Sequence, residues 1–237
     1  MKTIGIMGGM GPMAAVDLMK KIILATKAHD DQEHIHTVTD NNTNIPDRTA
    51  CIMGKGESPV PEMRKSADLL AAAGADFIII GCNTAHYFLP ELQPYLKIPV
   101  ISIIEEAAKF CAEEGYKKVG LLATAGTCKT GMYQNALKSS GVEVVLPNKD
   151  QEEAVHDMIY SGVKANDFDY DASRVQEALD EMAQDGVEAF ILGCTETPVG
   201  VEMYHLKGNF IDATQVLAEA AVKAAGAEVI RHLPHRA

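Results

Sequence analysis

GADFIIIGCNT, residues 74–84, and GVEAFILGCTE, residues 186–196, are two versions of one segment. In each, a glycine is followed eight positions later by a cysteine, with an apolar run between them. Asp76–Gly81 and Ala189–Gly193 are too short for helices. A continuous apolar run of this length reads as a strand buried on both faces, the mark of a parallel sheet. The residues after each cysteine, Asn83-Thr84-Ala85 and Thr195-Glu196-Thr197-Pro198, predict a helix start. Each segment is therefore the middle of a strand–turn–helix unit, with a thiol at the turn.

The likeness extends outward on both sides. Lys2-Thr-Ile-Gly-Ile-Met corresponds to Lys117-Lys-Val-Gly-Leu-Leu, and Pro99-Val-Ile-Ser to Asn209-Phe-Ile-Asp, at similar offsets. Further strands are expected at Lys2–Met7, His34–Asn41, Pro99–Ile103, Lys118–Ala123, Glu143–Leu146 and Asn209–Asp212. Helices are expected from Pro12 to about Lys27, at Pro61–Ala73, at Asp171–Gln184 and at Ala213–Ala225. The alternation predicts an α/β fold with parallel sheets. The repeat is far too long for a solenoid. It predicts two similar α/β domains related by pseudo-twofold symmetry, with the active site in the cleft between them. The expected first domain spans residues 1–99 with a returning C-terminal helix at 213–237. The second spans 100–212.

The chain has 237 residues, 47% of them hydrophobic and 23% charged, which is ordinary globular composition and excludes disorder. Its net charge of -12, with no Trp, argues against a nucleic-acid partner. An acidic body repels small anions, so an acid-binding site here needs local cations. No apolar run reaches the length of a bilayer span, and the opening MKTIGIMGGMGP lacks the features of a secretory signal. Five widely spread cysteines do not read as a disulfide framework. The expected setting is the cytoplasm, with reduced thiols and no membrane partner.

Cys82 and Cys194 therefore carry the chemistry. Ligands of open α/β sheets bind beyond the carboxyl ends of the strands. A helix N-terminus there offers free N–H groups and positive potential, which favours a thiolate and holds a carboxylate. One such cysteine suggests a nucleophile. Two, related by a repeat, suggest a pair working on opposite faces of one carbon, with one removing a proton and the other delivering one. Free cysteine often only fills a core, but the matched pair with polar neighbours favours function. Zinc is disfavoured, because no CxxC or HxxxH accompanies them.

The chain carries IGIMGGMGP (4–12), NIPDRT (44–49), GCNTAH (81–86), LLATAGT (121–127), GVKAND (162–167) and GCTE (193–196). In these motifs the sequence resembles the aspartate/glutamate racemase family, the cofactor-independent two-cysteine amino-acid racemases. The resemblance covers nearly the whole chain. It implies a two-domain fold, a homodimer, and catalysis by Cys82 and Cys194 without pyridoxal phosphate or metal. The GGMGP opening and GCTE resemble the aspartate racemase branch. Glutamate racemases usually open with a DSGxGG-like element and carry GCTH, and neither stands here.

The resemblance implies roles for other residues. Arg48, read as lying in a loop, matches NIPDRT and is expected to clamp the substrate side-chain carboxylate. Lys164 is expected to bind carboxylate as well. The Asn83-Thr84-Ala85 turn is expected to hold the α-carboxylate, with Thr195 as its counterpart. Helix capping is the plainer role for Asn83 and Thr84. Glu196 is expected to orient a thiol or bind the substrate ammonium. Thr124 and Thr127 line the site or form a turn. The backbone of Met10 can approach the substrate from its glycine-rich turn. His86 reads as a helix-surface residue, Cys111 as buried filler, and Cys51 and Cys128 have no repeat partner.

Gly9-Met10-Gly11-Pro12-Met13-Ala14 also satisfies the dinucleotide fingerprint G-x-G-x-x-A. Pro12 removes a donor that a pyrophosphate needs, and the spacing to Asp40 is longer than usual, so this reading is set aside. The expected activity is interconversion of L- and D-aspartate. The alternatives are a racemase for glutamate or a wider range of amino acids, a decarboxylase or isomerase on the same scaffold, and a non-catalytic binder of acidic amino acids.

Overall fold

Both repeats build a four-stranded, wholly parallel sheet, and the two sheets have the same strand order. The protein is described here from a computed structural model covering residues 1–230. The chain divides into two compact units, the first comprising residues 1–106 and 214–230 and the second Ala107–Ala213. Residues 231–237, assigned to the first domain from the sequence, lie outside the described residues.

In the first unit the strands are β1 (Ile4–Met7), β2 (Thr37–Asp40), β3 (Phe77–Ile80) and β4 (Val100–Ile101), in the order β2-β1-β3-β4. β1 pairs with β3 from Ile4↔Phe77 to Met7↔Ile80. Both strands are fully buried, because central strands of a parallel sheet are covered on both faces. The helices are α1 (Pro12–Ala25), α2 (Arg48–Ile52), α3 (Val60–Ala72), α4 (Leu89–Leu92) and α5 (Ile103–Glu113), the last of which runs on into the second unit. α1 starts at Pro12, where a missing N–H costs no helical bond, and buries Leu18 and Ile22.

Two expectations shift here. The strand predicted at Pro99–Ile103 stops at Ile101, because the Ser102 hydroxyl accepts the Glu105 N–H at 3.3 Å and starts α5. The first unit also runs past the expected break at residue 99, since Val100 and Ile101 pair with Ile78 and Ile79.

The second unit repeats the plan with β5 (Lys118–Leu122), β6 (Glu143–Val145), β7 (Ala189–Leu192) and β8 (Phe210–Asp212), in the order β6-β5-β7-β8. Its helices are α6 (Ala125–Thr130), α7 (Met132–Ser139), α8 (Lys149–Asp157), α9 (Ser173–Gln184) and α10 (Thr197–Met203). Asn148 and Gln151 close a reciprocal capping box at the start of α8, which a π-helical turn, Met158–Val163, continues. α11 (Ala213–Ala225) belongs to the first unit from Thr214 onward. There the Ala225 carbonyl accepts the Lys2 N–H at 2.9 Å, and Ile230 donates to the Ala25 carbonyl at 2.7 Å. Among the described residues, no helix is long and apolar enough to cross a membrane.

Candidate active site

A sheet ordered 2-1-3-4 has one place where the chain reverses its direction of travel across the strands, between the first and third. The loops leaving those two strands diverge, and a crevice opens beyond their carboxyl ends. In the first unit this is the junction of β1 and β3, and in the second the junction of β5 and β7. Met10 follows β1 and Cys82 follows β3. Thr124 follows β5 and Cys194 follows β7. Each unit thus brings its own sequence-predicted residues to its own switch point.

In the first unit Met10, Cys82 and Ala85 share one buried cluster, and Cys82 is only 5% exposed. Asn83 and Thr84 are also buried. The helix expected after Cys82 is instead a 3-10 turn, Thr84–Phe88, followed by the one-turn α4 and a second 3-10 turn at Gln93–Tyr95. Pro90 and Pro94 deny two N–H groups to any longer helix. An anion here meets local N–H groups rather than a long helix dipole. Asn83 makes no side-chain capping bond at this turn.

Arg48 is not in a loop but is the first residue of α2, whose N-cap Asp47 accepts the Ala50 N–H at 2.6 Å. Its guanidinium donates from Nη1 to the Ile45 and Pro46 carbonyls at 3.2 and 3.0 Å, and from Nη2 to the Met10 carbonyl at 3.3 Å. The fork expected to grip a substrate therefore staples the NIPDRT segment to the glycine-rich turn. The carbonyls do not neutralise it, so its charge stays beside Met10.

The same turn shows why the fingerprint glycine is there. Gly9 has φ +90, and a Cβ on it would lie 2.1 Å from the Asn42 carbonyl oxygen. The protein's own backbone demands that glycine.

In the second unit Cys194 is 6% exposed. Its Sγ–H donates to Glu196 Oε2 at 2.9 Å, and the Thr195 hydroxyl donates to the same oxygen at 3.2 Å. Lys164 Nζ lies 3.6 Å from Glu196 Oε1. Burial pushes the Cys194 thiol well above its ordinary pKa, and the Glu196 carboxylate pushes it further. Cys194 is therefore a thiol at neutral pH. The carboxylate that Lys164 faces is the protein's own. Lys164 follows the π-helical turn, with Nζ 4.6 Å from the Tyr160 ring centroid, and that ring stacks on His156 at 4.4 Å. Thr124 caps α6, its hydroxyl accepting the Thr127 N–H at 3.3 Å, so the turn-forming role is present.

Three residues were not singled out correctly from the sequence. His86, read as a surface residue, is buried at the Cys82 turn. Tyr133 is fully buried against Gly193 in the second unit, and burial, with Cys111, Asp212 and Cys194 nearby, pushes its phenol well above the usual value. Tyr160 supports Lys164. The signals were slight, namely one aromatic or histidine on an amphipathic stretch. Cys111 is fully buried in α5 and its thiol is pushed up to about 12 by burial. Cys128 is likewise pushed up to about 12, with Glu152 adding to burial.

The repeated glycines are unequal. A Cβ at Gly193 would meet Leu121 Cδ1 at 2.6 Å and Tyr133 Cε2 at 3.3 Å, whereas at Gly81 the nearest atom is 3.7 Å away. Gly193→Ala is expected to cost about 1–3 kcal/mol of stability by overpacking. Gly81→Ala is expected to stay within about 0.5–1 kcal/mol, as glycine in a strand end gains from Ala. Urea unfolding of the two variants checks this, and equal losses would contradict it.

A family model described as Asp/Glu/Hydantoin racemase matches residues 7–221. The broad specificity amino-acid racemase RacX of Bacillus subtilis (strain 168) is 29% identical over 232 residues, covering 92% of this chain and 96% of its own. The solved structure of Picrophilus torridus aspartate racemase superposes with a TM-score of 0.82 at 32% identity, over 97% of this chain and 96% of its own. Glutamate racemase from Francisella tularensis, solved with D-glutamate, matches at TM-score 0.65 and 19% identity, over 94% of this chain and 80% of its own, and so speaks to the fold alone.

Proposed function

We propose that this chain, which belongs to the Asp/Glu/Hydantoin racemase family and is an isomerase, interconverts L- and D-aspartate with Cys82 and Cys194 as its acid/base pair. The observation that carries the proposal is the equivalence of the two thiols. Each stands two residues past the third strand of its sheet, at the switch point of two sheets with one topology. In a two-base racemisation one thiolate takes the α-proton and the other group, as thiol, gives a proton to the opposite face. The roles exchange with direction.

The hard step is removing a proton from carbon beside a carboxylate. It needs charge stabilisation beyond what one acid–base group supplies, typically ~10²–10⁴-fold. The N–H groups of Asn83, Thr84 and Ala85 serve the α-carboxylate, with Thr195 opposite in role and Thr124, Thr127 and the Met10 backbone completing the lining. Arg48 and Lys164 supply positive charge for a dicarboxylate in an acidic protein. That charge supports an acidic amino acid, and the 32% identity to an aspartate racemase supports aspartate. Likeness to a broad-specificity enzyme supports the second reading, a wider amino-acid range. No step in this scheme calls on pyridoxal phosphate or a metal. A cytoplasmic setting, supported by five free cysteines, and a homodimer, supported by the family resemblance, complete the proposal.

The test is α-proton exchange in D₂O, followed by ¹H NMR with L- and D-aspartate, glutamate and alanine, without added pyridoxal phosphate. Exchange with inversion of aspartate from both sides is expected. Binding without exchange would overturn racemisation in favour of a binder. Faster turnover of glutamate or alanine would overturn the choice of aspartate.

Glu196 gives a separate expectation. Glu196→Gln keeps an acceptor for the Cys194 thiol but removes the negative charge that raises its pKa. The midpoint for Cys194 alkylation is expected to fall to lower pH, and kcat/KM to drop about ten- to hundredfold as a charge-assisted bond is lost. An unchanged alkylation profile would show that Glu196 does not govern this thiol.

A further inference from the structure

His86 lies in the 3-10 turn that follows Cys82, and its side chain is 5% exposed. Its Nδ1 is 2.9 Å from the Cys82 carbonyl oxygen. A carbonyl only accepts, so Nδ1 carries a proton. Its Nε2 is 3.2 Å from the backbone nitrogen of Ile103, whose N–H donates to it. Nε2 is therefore the bare nitrogen. Both contacts require the same neutral tautomer, and a second ring proton would face the Ile103 N–H donor to donor. Ile103 is the first residue of α5, so this N–H has no partner within its helix.

We infer that His86 is a positioning residue for Cys82, its neutral ring tying the Cys82 carbonyl to the first N–H of α5 and so fixing the turn that carries the thiol. The inference rests on the reading of Cys82 as half of the acid/base pair. The turn is followed by short helical pieces with two prolines within them. The imidazole adds a tether from it to α5, 17 residues on. It also sets the direction of the Asn83 N–H group, because the peptide plane it grips is the one between Cys82 and Asn83. A displacement of about 1 Å at such a site can cost about 100-fold in rate.

Two substitutions divide the tether. In His86→Asn the amide nitrogen stands near the place of Nδ1 and can donate to the Cys82 carbonyl, but nothing reaches Ile103. In His86→Gln the amide oxygen stands near the place of Nε2 and can accept from Ile103, but the Cys82 carbonyl is released. His86→Gln is expected to lose about 100-fold in kcat with KM nearly unchanged. Its Cys82 is expected to react about tenfold faster with iodoacetamide, read by peptide mass, as the freed turn opens. His86→Asn, which keeps the Cys82 bond but loses the anchor on Ile103, is expected to lose about tenfold in kcat, less than His86→Gln. A merely structural histidine would leave kcat and alkylation per folded molecule unchanged in both variants, and that result would overturn the inference.

Long-range ¹⁵N–¹H spectra of the wild-type imidazole decide the matter without any variant. A bare Nε2 and protonated Nδ1 at pH 7 are expected. A proton on Nε2 would overturn the tether. If the wild type racemises no amino acid, the functional proposal fails alone, and the alkylation and imidazole spectra still judge His86.

Discussion

Cys82→Ser and Cys194→Ser are each expected to lose racemisation by about 10²–10⁴-fold, and to retain α-proton exchange with no more than one enantiomer. Serine keeps the shape of cysteine within one atom but cannot form an oxyanion near neutral pH, so it deletes the base without emptying the site. A single acid–base group is typically worth about 10²–10⁴-fold. Inversion needs both groups in every turnover, so either loss stops it. Exchange needs only the base that faces the bound enantiomer. The two variants are therefore expected to be mirror images, one exchanging deuterium into L-aspartate and the other into D-aspartate. ¹H NMR in D₂O follows the α-proton of each enantiomer separately. If either variant still exchanged both enantiomers, the two-base scheme would be wrong, and a reaction needing one essential thiol would replace it.

The strands were legible because parallel strands in a covered sheet are apolar on both faces and need no alternation to be seen. FIII and AFIL, each ending in Gly-Cys, located the centres of both sheets. The repeat predicted two similar halves but no strand order, and the fold shows the same 2-1-3-4 arrangement in both. The returning helix was read at its full extent, Ala213–Ala225. What escaped depended on contacts distant in sequence. Arg48 reads the same whether its fork faces a ligand or three carbonyls, and only the fold brings Met10 to it across 38 residues. His86 differs from a surface histidine only through Ile103, a partner 17 residues away. The helix after Cys82 was over-read because helix-start residues outweighed Pro90 and Pro94 further on. Glu196, read as a residue to orient the thiol or bind the substrate ammonium, accepts the Cys194 Sγ–H, since two residues of chain suffice to bring its carboxylate to Sγ.

The two halves consequently carry similar thiols in unlike settings. Cys194 has a carboxylate against its sulfur, which keeps it protonated. Cys82 has its carbonyl held by an imidazole and no carboxylate bonded to its sulfur among the described contacts. Duplication supplied the symmetric strands and the Gly-Cys turns. The residues that follow each thiol differ, as GCNTAH and GCTETP show.

The same buried imidazole makes stability fall in mild acid. Burial lowers the His86 pKa from 6.5 to about 4, with the Cys82 and Asn83 carbonyls acting the other way. Above pH 6.5 the ring is neutral in both folded and unfolded chains and the full stability is present. Between 6.5 and 4 the unfolded chain takes up a proton that the folded chain does not, so stability declines as pH falls. Below about 4 both forms are protonated and this group costs nothing more. A depression of that size corresponds to about 3 kcal/mol across the window. Glu62, Asp68 and Asp171 are held below their ordinary values by Lys65, by Lys97 and by the Ser173 N–H, and all lie on the surface. Their contribution is present above the unfolded carboxylate values and is lost only as pH falls below these, so it sets in at the acid end of the window. Urea unfolding of the wild type at pH 7, 5.5 and 4.5 is expected to show the decline, and His86→Asn, which has no proton to take up, is expected to flatten most of it. Parallel slopes in the two proteins would mean that His86 titrates alike in both states, and a ring so free to take a second proton could not be gripping the Ile103 N–H through a bare Nε2.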